Sequence, residues 1–285
     1  MTQGGEMMPT TTSSKNLNLI IPGPQKKDLK PRTRKLRHSG HKQRSVWFQA
    51  RSAWPLREAP VQTLVLERNR VNRDLPTPKR AAPWRCVGPT NIGGRMTSVV
   101  CHPHDPDRIW AGAAAGGVWQ SNDAGRTWRS VWSKQDSLNI GSLAIDPENP
   151  DVIYCGTGEA NLSADSYAGV GIYQTTDAGA SWKLLASSSN ARIPTRTGVI
   201  AIDPSDSSHL LIGGVGADES SPRQEDFGGM FVSHDGGVTW KRETFISTKN
   251  YWCHAIVFHP TKRGVIFATF TEQGAKNGIW SSEDN

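Results

Sequence analysis

One short turn is written into this chain again and again. Ser121-Asn122-Asp123-Ala124-Gly125-Arg126-Thr127-Trp128 returns as Thr175-Thr176-Asp177-Ala178-Gly179-Ala180-Ser181-Trp182 and as Ser233-His234-Asp235-Gly236-Gly237-Val238-Thr239-Trp240. Ser282-Glu283-Asp284-Asn285 matches the first half of a fourth copy. The pattern is Ser/Thr-x-Asp-x-Gly-x-Ser/Thr-Trp. A fixed turn recurring in a longer unit demands a repeat architecture. The chemistry of the turn is local. The Asp carboxylate accepts hydrogen bonds from backbone N–H groups, and the Gly supplies a left-handed position at little cost. The hydroxyls tie the two arms, and the Trp opens the next strand and packs on its neighbours. Each of these residues is therefore read as structural, including Ser282 and Asp284 of the last copy. The spacing lacks the oxygen set and closing Glu of a calcium loop, so no metal is expected, and no cofactor is called for.

The unit around the turn repeats as well. A first strand ends in a Pro turn: Ser98–Pro103, Ser142–Pro147, Val199–Pro204 and Ala255–Pro260. A second apolar strand follows, at Arg108–Gly112, Val152–Gly156, His209–Gly213 and Val265–Thr269. The third opens on Gly and an apolar residue, at Gly117, Gly171, Gly229 and Gly278. The Asp turn then leads into the fourth. Four antiparallel strands every 49 to 58 residues, counted between Asp123, Asp177, Asp235 and Asp284, predict an all-β fold, a β-propeller of four-stranded blades. About three and a half blades are expected over 84–285, forming an incomplete ring with an open edge that favours self-association. Trp84–Val87 reads as a strand that would close the last blade of a larger ring.

Composition divides the chain. Residues 1–90 hold 18 Lys/Arg against 5 Asp/Glu, whereas the remainder holds 15 against 21. Residues 1–44 are expected to form a basic, largely disordered arm, and nucleic acid is not among the expected partners. Residues 45–83 read as a linker. Trp47, Phe48 and Trp54 are placed to dock on the body, and the spacing of Val61, Leu64, Leu66, Val71 and Leu75 predicts a short helix ended by Pro76 and Pro78. Leu17–Ile21 is too short for the core of a secretory signal, which makes the cytoplasm the default location. No apolar run has the length of a membrane-spanning helix. Cys86, Cys101, Cys155 and Cys253 have no Cys-x-x-Cys spacing, so neither a zinc nor a redox motif is indicated. Buried, reduced thiols are expected for those in strands.

The turn resembles the Asp-box, or BNR repeat, of sialidases, Asp-box xyloglucanases, sortilin-type receptors and photosystem II stability-factor-like proteins. With GPTNIGGRMTSVV, AGAAAGGVWQSNDAGRTW and GTGEANLSADSYAGVGIYQTTDAGASW, residues 84–285 look like bacterial BNR-repeat proteins of the glycosyl hydrolase-like kind. A shared repeat does not by itself imply activity.

In a propeller the Asp turns share one face with the first-to-second hairpins. The opposite face carries the variable second-to-third loops and the inter-blade linkers, and a ligand is expected there. As a glycoside hydrolase the chain needs two carboxylates, and Glu159 and Asp165 are the candidates. The sialidase resemblance implies arginines that grip a substrate carboxylate, for which Arg95 and Arg196 are placed. Tyr167, Tyr251, Trp252 and His254 are the candidate binding residues. The xyloglucanase resemblance implies a blade-one Asp where this chain has Ala114. That gap favours a noncatalytic propeller binding a glycan or a protein, with a glycoside hydrolase, part of whose site lies in further blades, as the alternative.

Overall fold

The structure, a computed structural model, describes residues 61–74, 93–132, 134–161, 166–216, 228–244, 251–271 and 277–283. The expectations for the arm, for Trp47, Phe48, Trp54, Cys86 and Trp84–Val87, and for Asp165 and Asp284 fall outside the described residues. The expected helix runs Val61–Asp74 as α1, and its Val65 packs against the apolar cluster between the first two blades.

Each repeat folds as one antiparallel sheet. Blade one comprises β1 (Met96–His102), β2 (Asp105–Ala113), β3 (Gly117–Ser121) and β4 (Arg129–Ser130) in that spatial order. Blade two comprises β5 (Ile140–Ile145), β6 (Ile153–Thr157), β7 (Gly171–Thr175) and β8 (Lys183–Ser187). The one-turn helix α2 (Ser188–Ala191) follows it. Blade three holds β9 (Arg196–Asp203), β10 (Asp206–Val215), β11 (Gly229–Ser233) and β12 (Lys241–Arg242). Blade four holds β13 (Trp252–Phe258), β14 (Ile266–Thr271) and β15 (Gly278–Ser282), so among the described residues it is three-stranded. The outer strands begin one residue after the Trp rather than on it. The indole N–H of Trp128 donates back to the Gly125 carbonyl at 3.0 Å, and that of Trp240 to Gly237 at 2.9 Å, so these rings lid their own turns.

The core lies between blades. Strand alternation sends the side chains of one blade to two faces. Trp110 and Val100 of blade one meet Leu143, Cys155 and Tyr173 of blade two. Ala144 and Tyr154 of blade two meet Ile200, Ile212 and Phe231 of blade three. Leu211, Val232 and Ala201 of blade three meet Ile256 and Ala268 of blade four. Polar pins repeat along these seams. Ser98 Oγ accepts the Leu143 N–H at 3.0 Å, and Ser142 Oγ accepts that of Ile200 at 3.1 Å. The Trp110 indole donates to the Ala178 carbonyl at 3.1 Å, and the Tyr154 hydroxyl to that of Gly236 at 3.2 Å, so an aromatic from each of the first two blades reaches the Asp turn of the next. Cys155 and Cys253 are buried thiols, as expected. Cys101 is exposed instead, because no described residue packs on the face of blade one that carries it.

The three described Asp turns are built alike. In the first, Ser121 Oγ donates to Asp123 Oδ1 at 2.8 Å and accepts the Gly125 N–H at 2.8 Å. The Thr127 N–H and hydroxyl donate to the two oxygens of Asp123 at 2.8 and 2.5 Å. The bonds around Asp177 and Asp235 repeat this pattern within the same short range. These donors, the Thr hydroxyl first, hold the carboxyls of Asp123 and Asp235 down at about 2. A carboxyl lowered in the folded state adds stability that is full above its unfolded pKa, near 4, and is lost as pH falls through the folded one. Acid titration followed by intrinsic Trp fluorescence is therefore expected to show loss of structure between about pH 4 and 2. A transition complete above pH 5 would contradict this role.

The turn asks for two left-handed residues, not one. Ala124 and Ala178 have φ of 56°, like Gly236 at 70°, immediately before the Gly. An L residue in that region carries a steric cost of about 1–2 kcal/mol, partly offset by glycine's greater freedom when unfolded. Ala124→Gly, at an exposed position that keeps its N–H bond to Asp107 O, is expected to stabilise by about 0.5–1 kcal/mol in urea denaturation.

Candidate functional site

The innermost strand of every blade starts at the face away from the Asp turns. The turns lie against the first-to-second hairpins: the N–H groups of Ala124, Ala178 and Gly236 donate to Asp107, Asp151 and Ser208. At the other end, Arg95, Asn139, Arg196 and Trp252 take one equivalent place, three residues before Ser98, Ser142, Val199 and Ala255. Ala114 N donates to Arg95 O just as Gly158 N donates to Asn139 O. In blades one and two the start of the second-to-third loop thus rests on the linker that enters the blade.

Between blades one, two and three this end is closely knit. Gly158 has φ of 82°, and a Cβ there would fall 1.9 Å from the Thr195 carbonyl, so only glycine permits the approach. The Gly158 carbonyl accepts the Thr197 N–H at 3.1 Å, and Thr195 O accepts that of Gly169 at 2.7 Å. The next residue, Glu159, is thereby drawn under the surface and bridges to Thr197 in parallel fashion.

Glu159 is completely buried, and its carboxylate is engaged. Arg95 Nη2 donates to Oε2 at 2.5 Å across the blade boundary, and Asn161 Nδ2 donates to Oε1 at 3.0 Å. The side chain of Glu159 is 1% exposed and that of Arg95 is 40% exposed. The pair therefore sets a guanidinium on the surface with its counter-charge beneath it. A general acid must reach the bond it protonates. The acid/base role expected of Glu159 does not suit a carboxylate sealed under an arginine, whereas an orienting role does.

The remaining candidates separate. Tyr167 is 39% exposed on the loop whose backbone receives the Glu159 N–H at 3.0 Å. Trp252 is half-buried at the end of blade four, edge-on to His254 at 6.3 Å, and His254 Nε2 contacts Thr271 Oγ1 at 3.1 Å. Arg196 is half-buried at its strand start. Tyr251, one of the candidate binding residues, is a core residue with no exposure. Its hydroxyl donates to Glu243 O at 2.6 Å, its ring meets Phe270 edge-on at 5.4 Å, and Arg242 stacks over it at 4.8 Å. Burial pushes its phenol up. Asn161 and Asn139, whose Nδ2 donates to Ala168 O at 3.2 Å, escaped the sequence reading. The alternation Glu159-x-Asn161 was the only local sign of the former.

A cavity of about 480 Å³ opens elsewhere, lined by Val131, Asp136, Tyr173, Trp182 and Leu184 beside the second Asp turn. It is apart from Arg95 and Glu159. Trp182 breaks the lid pattern there: it packs edge-on to Trp132 at 5.0 Å, and its buried N–H meets no acceptor among the described residues. No group of His, Cys, Asp and Glu suited to a metal ion occurs among the described residues, and none of their helices is long and apolar enough to cross a membrane.

No family model matches the chain. By sequence it is similar to an oligoxyloglucan-reducing end-specific xyloglucanase of Emericella nidulans, 23% identical over 204 residues, or 68% of this chain and 23% of that protein. It is similar also to a xyloglucanase of a Paenibacillus species, 27% identical over 184 residues, or 60% of this chain and 17% of that protein. A xyloglucanase of Hypocrea jecorina is 24% identical over 209 residues, or 68% of this chain and 24% of the relative. The chain thus spans under a quarter of the length of these relatives. Among solved structures, the Niastella koreensis GH74 enzyme aligns with a TM-score of 0.49 at 21% identity, over 67% of this chain and 28% of that one. The chain is thus similar in sequence to part of several xyloglucanases, and that sequence is carried on four-stranded antiparallel blades.

Proposed function

We propose that this chain serves a glycoside hydrolase-type propeller that takes a β-linked glycan of the xyloglucan kind on the face opposite its Asp turns. The observation that carries the reading is the sequence similarity to several xyloglucanases. The chemistry of the face agrees with it. Arg95, held by Glu159, offers guanidinium donors to sugar oxygens. Tyr167 and Trp252 offer ring surface to pyranose faces. Asp165, six residues beyond Glu159 in the same loop, is the candidate acid or base, and Glu159 orients Arg95.

A second reading, a noncatalytic glycan-binding propeller, is favoured by one specific observation. Ala114 stands where the xyloglucanase resemblance implies an Asp, and it is buried. The two readings part in one experiment on xyloglucan, cellulose and sialylated glycans, with retention and release of reducing ends measured together. Under the hydrolase reading, xyloglucan is retained and cleaved. Asp165→Asn then loses about 10²–10⁴-fold in rate, while Tyr167→Ala weakens retention. Retention with no turnover by the wild-type chain supports the noncatalytic reading. No retention of any glycan overturns both.

A further inference from the structure

We infer that the first-to-second hairpins of blades one and four are released by acid. They are capped by neutral histidines that let go on protonation, whereas those of blades two and three are capped by carboxylates and hold. Strand register makes the comparison possible. Cys101, Ile145, Ile202 and Phe258 pair with Ile109, Ile153, Leu210 and Ile266 at equivalent points of the four blades. The residue after each, His102, Asp146, Asp203 or His259, enters the hairpin and is followed by Pro. In all four, its side chain accepts the backbone N–H two residues on. Asp146 Oδ1 accepts that of Glu148 at 2.9 Å, and Asp203 Oδ1 that of Ser205 at 2.8 Å. His102 Nδ1 accepts from His104 at 3.1 Å, and His259 Nδ1 from Thr261 at 3.1 Å and Lys262 at 3.0 Å.

A backbone N–H is always a donor, so Nδ1 is the lone-pair nitrogen of both rings and Nε2 carries the proton. An imidazolium donates from both nitrogens. Its added proton sits on Nδ1, in the path of the incoming N–H, so charge and cap exclude each other. Histidine is the side chain that ordinarily changes charge between about pH 5 and 8, a range in which a carboxylate normally keeps accepting. The surroundings supply no counter-charge that would take the cap's place. His102 shares its hairpin with His104, edge-on at 6.1 Å, and with Asp105 and Asp107, of which Asp105 accepts the Asp107 N–H at 3.2 Å. His259 shares its own with Lys262 and Arg263, and its ring tilts on Phe267 at 6.5 Å. Across the seam, His209 meets Phe258 edge-on at 5.6 Å, is paired with Asp203 at 3.0 Å and is stacked on His234 at 4.8 Å. The first Asp turn rests on the hairpin of blade one through the Ala124 N–H bond to Asp107 O. Acid therefore loosens the seat of that turn and leaves the seats of the second and third, on Asp151 and Ser208, in place.

Heteronuclear NMR on the full chain, titrated from about pH 8 to 5, tests the inference, with His259→Asp as the variant. At the upper end, His102 and His259 are expected as Nε2–H tautomers. As pH falls, the amide resonances of His104, Thr261 and Lys262 are expected to move with the ring signals. Their protection against solvent exchange, corrected for the pH dependence of exchange itself, is expected to drop about three- to tenfold. The amides of Glu148 and Ser205 are the internal reference and are expected to stay. In His259→Asp, which copies the cap of blades two and three, Thr261 and Lys262 stay as well, while His104 still responds. An Nδ1–H tautomer for either ring at the upper end overturns the inference, and that measurement needs no variant. So do rings that titrate without moving these amides, rings that stay neutral throughout, or equal movement at Glu148 and Ser205.

Discussion

Trp110→Ala is expected to destabilise the chain by about 3–5 kcal/mol, the usual result of emptying a large buried aromatic site. Trp110 has no exposure and lies at the centre of the seam between blades one and two. Its indole also donates to the Ala178 carbonyl, so the substitution opens a cavity and removes one of two bonds, the longer being from Gln120 Nε2, that fasten the second Asp turn to the first blade. Trp110→Phe keeps most of the volume and loses the bond, and is expected to cost less. Tyr154→Phe makes the cleaner comparison at the next seam. It deletes the two bonds of one hydroxyl, the donation to Gly236 O and the acceptance from Gln174 Nε2, and is expected to cost about 1–2 kcal/mol. Urea denaturation of all three checks the order. A loss of under 1 kcal/mol for Trp110→Ala would mean that the seams are not where stability resides.

Arg95→Met is expected to cost about 3 kcal/mol, because it leaves the carboxylate of Glu159 buried without its counter-charge. Asn161 still donates one bond to it, which is too little to solvate a charge at that depth. Adding Glu159→Gln removes the charge, and the double variant is expected to recover most of the loss. That recovery, measured as a double-mutant cycle, identifies the pair as a coupled unit. Additive losses would show two independent residues. Glu159→Gln alone leaves Arg95 on the surface without its buried counter-charge, and its expected signature is weaker glycan retention with little change in stability.

The strands and the Asp turns were legible in the sequence because their causes are local. Asp123 finds its donors within four residues, and the apolar alternation in Leu143–Ile145 or Ile200–Ile202 needs no knowledge of what lies opposite. The sides of the propeller were legible for the same reason, since a fixed turn and a variable loop cannot exchange ends. What the sequence withheld depends on the neighbouring blade. Glu159 reads as a loop acid until Gly158 and Thr197 draw it beneath Arg95. Tyr251 reads as a binding aromatic until Glu243, Phe270 and Arg242 close around it. Cys101 alternates like Cys155, yet one is exposed and the other buried, because among the described residues a preceding blade covers blade two and none covers blade one. The second left-handed residue of the turn was hidden as well, since Ala124 and Ala178 carry no chemical mark of a positive φ.

If the face opposite the Asp turns is where this chain meets its ligand, hydrogen–deuterium exchange with and without a xyloglucan oligosaccharide will map it in one experiment. Slowed exchange is expected in the linkers and loops at 139–141, 158–161, 166–170, 195–198 and 251–254, with the Asp turns at 121–128, 175–182 and 233–240 unchanged. Protection concentrated in those turns, with the Arg95 and Glu159 end unaffected, would contradict the assignment.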